Sequence, residues 1–397
     1  MEEVIMRKKQ LLLLFFGILV PWTVGNGLLP ILPVYALEIE ASEAEAGYCI
    51  SFAFLALAAG AILAGWLADK FQRRKLLLLI SGILGTPSLF LMGKVSNVWQ
   101  LAGATAAVWF SLGSVLTIIT VFTGLTAGKE ERGKLLGLIG MSSGLGSILG
   151  GLAIGPLIDR LGYPAMFTVL CIYSITLFIS ALFVKDIKVE RKPTRTDIAR
   201  LGRSSFGRAL FLLIAAQFMV IIAHSMAAMG RSLSMNNLGF TPTAIGSTVV
   251  VSGFVSLPFP FVLGWLSDRL GRRKMMAICY LSYIFCVLIL GFSRSLWHFW
   301  IVIIFMKIGM VSLSVGPAFV ADLVDKTALG RGVSLFQSMG WIAFAIGYAV
   351  GGNAFQYFDI AATSFMSIVF PVIAIALILS IRTAKRQEVL TEAVTLE

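Results

Sequence analysis

Long apolar runs separated by short polar breaks dominate the chain. In the first half they cover roughly 11–36, 47–68, 76–93, 98–124, 133–157 and 163–184. In the second half they cover roughly 209–232, 243–267, 275–293, 297–321, 332–356 and 361–381. A helix needs ~20 apolar residues to cross the ~30 Å hydrocarbon core of a bilayer. The pattern therefore predicts an all-α membrane protein with 12 transmembrane helices. Only 185–208 is long and polar enough to be a linker. It divides the chain into an N-terminal six-helix bundle (1–184), a linker (185–208) and a C-terminal six-helix bundle with a short tail (209–397).

The polar breaks carry a repeat. Gly65-Trp66-Leu67-Ala68-Asp69-Lys70-Phe71-Gln72-Arg73-Arg74-Lys75 returns as Gly264-Trp265-Leu266-Ser267-Asp268-Arg269-Leu270-Gly271-Arg272-Arg273-Lys274. The pairs Gly47/Gly246, Arg132/Arg331 and Gly133/Gly332 keep the same offset. The two bundles are thus copies of one pseudo-symmetric unit, and a duplicated membrane bundle points to transport.

Composition sharpens this picture. Charged residues are 13% of the chain, against about 25% in soluble domains, and hydrophobic residues are 58%. The net charge of +12 sits in the breaks between apolar runs, where it reads as a topology signal and not as a nucleic-acid surface. Of the 32 Lys and Arg residues, all but Lys94, Arg160, Arg231, Arg294 and Lys307 fall on the side of both termini. The positive-inside rule makes both termini cytoplasmic. Arg7, Lys8 and Lys9 before the first apolar run superficially resemble a signal peptide, but that run continues past Pro33, so a retained first helix is expected. The first outer loop carries Glu38, Glu40, Glu43 and Glu45 and reads as a solvated acidic loop. Cys49, Cys171, Cys279 and Cys286 show no metal-ligand spacing and read as reduced packing residues. No metal, cofactor or catalytic residue is expected.

Six crossings per repeat make the halves parallel, related by an axis along the membrane normal with a cavity between them. Pro21, Pro30 and Pro33 in the first span and Pro258 and Pro260 in the eighth mark either cavity-lining breaks or plain packing kinks. In the repeated turn, Gly65 and Gly264 would let a neighbouring helix approach. Asp69 and Asp268 would cap the next helix, and the Arg/Lys run would anchor in the headgroup layer.

These residues resemble the major facilitator superfamily, whose loop pattern between helices two and three is met here twice. Its one departure is Gln72, where the family prefers glycine. Gly47, Glu131-Arg132-Gly133 and the stretch from Gly155 to Tyr163 extend the resemblance over nearly the whole chain. The resemblance implies that Gly65, Asp69, Arg73 and Arg74, with Gly264, Asp268, Arg272 and Arg273, form the gating motif. Asp69 would lock the outward-facing state against helix eleven, with Arg73 nearby. Two departures concern proton-coupled drug antiport. The fourth span carries Trp109 before Gly113 and no charge. The fifth has Gly144, Gly146, Gly150, Gly151, Gly155 and Pro156 without the full antiporter spacing. Those glycines read either as close helix packing or as an antiporter mark.

Ionisable groups at membrane depth are functional candidates by default. His224 lies near the middle of the seventh span, Arg231 about two turns beyond it and Lys307 near the middle of the tenth. In the family's arrangement helices one, four, seven and ten line the cavity. Heptad spacing places Gln217, His224 and Arg231 on one helix face. His224 could relay a proton or donate one hydrogen bond to a backbone carbonyl. Lys307 could attract an anion or reach into a polar cavity. Trp22 and Asn26 from helix one, with Trp109, complete the candidate substrate and coupling set. No Asp or Glu falls well inside any span, so a proton route would run through His224 or an end carboxylate.

Three classes of function compete. The main reading is a secondary transporter in the cell (inner or plasma) membrane, working by alternating access and exporting amphipathic or drug-like compounds, with proton coupling left open. Uptake or exchange of a small organic anion is the alternative within that class. A lipid flippase on the same scaffold is the second class. A membrane enzyme or receptor is the third, and no zinc motif, nucleophile elbow or phosphate loop supports it. The expected partners are a small-molecule substrate, the lipid bilayer and, on the coupled reading, protons; nucleic acid is excluded, and a monomer is expected.

Overall fold

The computed structural model describes residues 2–126, 132–184, 186, 207–325 and 328–381. Most of the linker, the loop cations Lys129 and Lys326, and the tail cations Arg382, Lys385 and Arg386 lie outside the described residues. The described residues are helical throughout, with no strand among them. The N-terminal half holds α1 (Glu2–Leu28), α2 (Leu32–Glu38), α3 (Glu43–Phe71), α4 (Arg74–Met92), α5 (Val98–Thr126) and α6 (Arg132–Phe183). The C-terminal half holds α7 (Arg208–Asn237), α8 (Pro242–Ser256), α9 (Phe259–Leu270), α10 (Arg272–Gly291), α11 (Leu296–Met310), α12 (Ser312–Leu323), α13 (Leu329–Tyr357), α14 (Ile360–Met366) and α15 (Val369–Ser380).

Ten stretches are long and apolar enough to cross a membrane. Two places account for the difference from the twelve apolar runs. Gly140–Phe183 forms one stretch of 44 residues. At 1.5 Å per residue it is about 66 Å long, twice the hydrocarbon thickness. Its backbone leaves helical geometry at Gly162 (φ 77°, ψ 171°), a conformation that glycine tolerates and most residues do not. The second place is the eighth run, where Pro258 separates the short α8 from α9. Proline has no N–H for the helix ladder, so the break falls where the sequence put its prolines.

Helix starts follow local chemistry. Ser42 and Glu45 form a reciprocal capping box at α3, so Glu45 is part of a helix cap as well as of an acidic loop. Thr241 caps α8 with Pro242 in its first turn, and Asp359 caps α14.

Within the first half, α1 packs on α5 and α6, α3 on α5, and α4 on α5 and α6; the second half repeats this with α10 on α11 and α15, and α7 on α15. The halves meet through α3 against α13 and α6 against α8. Both crossings are built on glycine. A Cβ on Gly47 would lie 2.5 Å from the Tyr348 carbonyl oxygen and 2.9 Å from the Gly352 Cα. A Cβ on Gly246 would lie 2.6 Å from the Gly151 carbonyl oxygen. Gly47 and Gly246 are a repeat pair, so the two crossings are pseudo-symmetric copies. The glycines of the fifth run divide between two neighbours. Gly146 and Gly150 admit α1 at Trp22 and Thr23, whereas Gly144, Gly151 and Gly155 admit α8 at Gly253, Gly246 and Pro242. They serve close helix packing on two faces at once.

Hydrogen bonds join the halves at the end opposite the repeated turns. Tyr48 bonds Asn353 at 3.0 Å, and the Thr243 amide donates to Asp159 at 3.1 Å across the α6–α8 crossing. The described conformation is therefore joined at that end.

Candidate functional site

The seventh run becomes α7, the most buried of the ten membrane-length stretches among the described residues, packed chiefly against α13 and α15. Its buried polar face is the Gln217–His224–Arg231 heptad row. Helix α10 holds Gln217 and His224, with α12 also on Gln217, and α8 holds Arg231. Tyr280 of α10 donates to Gln217 Oε1 at 3.1 Å, and Gln217 Nε2 donates to Ser312 Oγ of α12 at 3.1 Å. His224 Nδ1 lies 3.0 Å from the Tyr283 hydroxyl of α10. Arg231 Nη1 donates to Thr248 Oγ1 of α8 at 2.9 Å, while its buried Nε has no hydrogen-bond partner. Lys307 of α11 is half-buried and makes no hydrogen bond or ion pair among the described residues.

An aromatic assembly joins this row to the other half. Phe54 of α3 stacks on Phe344 (centroids 4.8 Å, interplanar 8°), on Tyr348 (5.4 Å, 13°) and on Trp341 (6.4 Å, 24°), all from α13. The His224 ring meets the Phe344 ring edge-on at 5.5 Å. Phe54, His224 and Lys307 each lie about 16–20 Å along their helices from the end opposite the repeated turns, at 1.5 Å per residue. The three therefore share one depth, where the halves meet. Here the surroundings offer flat π-faces, hydrogen-bonding groups and the Lys307 cation, with no carboxylate well inside the spans.

The other sequence candidates go elsewhere. Asn26 donates to Ser147 Oγ at 2.8 Å and so ties α1 to α6 within the first half. Trp22, half-buried, lies at the same α1–α6 crossing. Trp109 is only 2% exposed and belongs to the apolar core. Phe54, Trp341, Phe344, Tyr348, Tyr280, Tyr283 and Thr248 went unnoticed in the sequence. Aromatic and hydroxyl residues are common in apolar helices, and nothing local separates those that converge. The one available signal is the i, i+3, i+7 spacing of Trp341, Phe344 and Tyr348, which sets an aromatic stripe on one face of α13.

The repeated turns are built differently from the sequence reading. Asp69 and Asp268 lie inside the last turns of α3 and α9, and the residues flanking the next helices, Arg73 and Gly271, provide no side-chain cap; at α4 the Lys75 amide donates to Asp186 at 3.0 Å. Gly65 is in ordinary contact with Thr117 (3.6 Å from its ideal Cβ), so no close approach requires it; Gly264 lies within α9. Gln72 adopts the left-handed conformation (φ 54°), as Gly271 adopts positive φ (85°) in the second copy. That is the physical reason for a glycine preference at this position. Asp69, Asp268 and Arg73 are exposed and Arg74 is buried. In the second copy Arg272 pairs with Asp322 at 2.8 Å, and Arg273 donates to the Leu379 carbonyl at the end of α15.

A family model described as the Major Facilitator Superfamily matches residues 13–233 and again residues 209–395. The chain belongs to the major facilitator superfamily. The two matches overlap at residues 209–233. Among relatives, the "Multidrug resistance protein MdtG" of Salmonella paratyphi A (strain ATCC 9150 / SARB42) is 26% identical over 306 residues, covering 73% of this chain and 74% of that protein. The protein of the same name from Salmonella heidelberg (strain SL476) is 25% identical over 373 residues, covering 89% and 91%. Among solved structures, the nucleoside transporter NupG has a TM-score of 0.79 at 15% identity, covering 95% of this chain and 100% of that one. A bacterial homologue of the human lysosomal transporter Spinster has a TM-score of 0.73 at 15% identity, covering 94% and 96%. At such identities these structures share the fold. As a member of the superfamily, the protein is a multi-pass, non-enzymatic carrier of small molecules across a membrane.

Proposed function

We propose that this superfamily member exports amphipathic, drug-like compounds across the cell membrane by alternating access. It does so as a monomer of twelve crossings, with both termini cytoplasmic and domain boundaries near 184 and 209. The observation that carries the reading is the aromatic assembly of Phe54, Trp341, Phe344 and Tyr348 beside His224. Stacked rings favour flat apolar groups of varied shape, whereas a sugar needs many amide and carboxylate partners. The relatives named for multidrug resistance support the same cargo class. The Gln217, His224, Arg231 and Lys307 group supplies the polar end of the site. Asp69, Arg73 and their second-copy counterparts act at the gate and not on the cargo. His224, hydrogen-bonded to Tyr283, is the residue through which protons would couple to transport.

The test is transport by the purified chain in liposomes, with and without an imposed pH gradient, over a panel of amphipathic dyes and small polar solutes. Dye movement that responds to the gradient is expected. Movement of polar solutes alone overturns the proposed cargo. Gradient-driven transport that survives His224→Ala removes the proton role.

A further inference from the structure

The two copies of the basic turn differ in one respect that the repeat conceals. In the second copy Arg272 is neutralised by Asp322 of α12 at 2.8 Å. At the same offset the first half carries Thr123, whose hydroxyl donates to its own helix at the Ile119 carbonyl. Arg73, the counterpart of Arg272, makes no hydrogen bond or ion pair among the described residues. Its surroundings form a cleft of about 770 Å³ between the ends of α3 and α6 and the start of α4. Lys70, Arg73 and Lys75 bring three cations to it, and Asp186 one carboxylate. That carboxylate already accepts the Lys75 amide at 3.0 Å.

The walls of the cleft are apolar. Phe71, Leu76 and Leu79 line it, and Phe71 and Leu76 are exposed on the outer surface of the bundle beside Trp66. The Lys70 ammonium lies over the Trp66 ring at 4.6 Å and the Phe71 ring at 5.3 Å. A charge held over exposed aromatic rings at the end of a spanning helix sits at headgroup level. Excess cations there, beside surface that faces acyl chains, match an anionic phosphodiester carrying hydrocarbon tails.

We propose that the cleft between α3, α4 and α6 binds the headgroup of an anionic phospholipid, with Arg73 and Lys70 on its phosphate. The second half lacks this site because Asp322 already occupies Arg272. The proposal is independent of the cargo, since the cleft lies at the turn and not at the depth of His224.

The test uses the full chain in neutral detergent, titrated with phosphatidylglycerol or phosphatidylcholine, with bound lipid counted by native mass spectrometry. Phosphatidylglycerol is expected to be retained in preference to phosphatidylcholine. Arg73→Gln and Lys70→Gln are each expected to weaken its retention about fivefold, the effect of one cation near an anionic headgroup. Arg272→Gln should leave it within twofold. Equal loss in Arg272→Gln would mean a diffuse surface charge and overturn the proposal, as would full retention in Arg73→Gln. Displacement of the lipid by inorganic phosphate at equal concentration would assign the cleft to a free anion instead.

Discussion

Gly352→Ala is expected to open the end of the molecule at which the halves are joined. The added Cβ would lie 2.7 Å from the Glu43 carbonyl oxygen and 2.9 Å from the Gly47 Cα. Both are backbone atoms of α3 and neither has a rotamer to escape through. Restoring an ordinary contact of ~3.4 Å requires the helices to separate by about 0.7 Å, and overpacking of this kind costs about 1–3 kcal/mol. Alanine is the better helix former by about 1 kcal/mol, but that gain is present whether or not the halves touch. It therefore cancels in the ratio of the two conformations, whereas the clash does not. The joined conformation should lose about 5–150-fold in population against the separated one. Spin labels at Lys94→Cys and Arg294→Cys, both exposed in loops at this end, report the ratio by pulsed dipolar spectroscopy in a cysteine-free background. A long-distance component should grow in Gly352→Ala. Populations within twofold of the parent would show that the glycine crossing does not hold this end together.

Phe54→Ala removes one ring from three stacked pairs. At about 0.5–1.5 kcal/mol per pair, dye transport in liposomes should fall at least tenfold, and unchanged rates would exclude the assembly from the site. Lys307→Gln should weaken binding of anionic compounds about tenfold or more, as expected for loss of a charged hydrogen-bond donor, and leave neutral compounds unaffected; equal loss for both in equilibrium binding would point to a packing role. Thr248→Val should destabilise the protein by about 1–3 kcal/mol, because the buried Arg231 guanidinium then loses its one hydrogen bond among the described residues. Thr248→Val combined with Arg231→Met should recover most of that loss in thermal unfolding, since the unsatisfied charge is gone; no recovery would mean that the pair carries no such penalty.

The candidate site was half legible in advance. His224, Arg231 and Lys307 stood out because ionisable groups are rare and costly at membrane depth, and Gln217 followed from the heptad that contains them. Their partners did not, because Tyr280, Tyr283, Phe344 and Thr248 are ordinary members of apolar helices until the fold brings them within reach. Span number alone assigns Trp22, Asn26 and Trp109 to the cavity. Where each side chain points depends on helix rotation, which packing sets: Asn26 turns to Ser147, and Trp109 into the core. The position of Asp69 and Asp268 relative to the turn is likewise set by the fold. Both helices run on past the aspartate before the chain turns.

What the sequence determined by itself was the class of molecule: apolar runs of bilayer length, their duplication, the basic turns and the superfamily. These are properties of composition and spacing, and a bilayer enforces them on each helix separately. What only the tertiary structure decided was which residues meet. The pairing of Gly47 with Gly352 and of Gly151 with Gly246, the stacking of Phe54 on α13 and the unequal charge balance of the two turns all join residues distant in sequence. Their contacts depend on helix rotation and crossing, which no local pattern encodes.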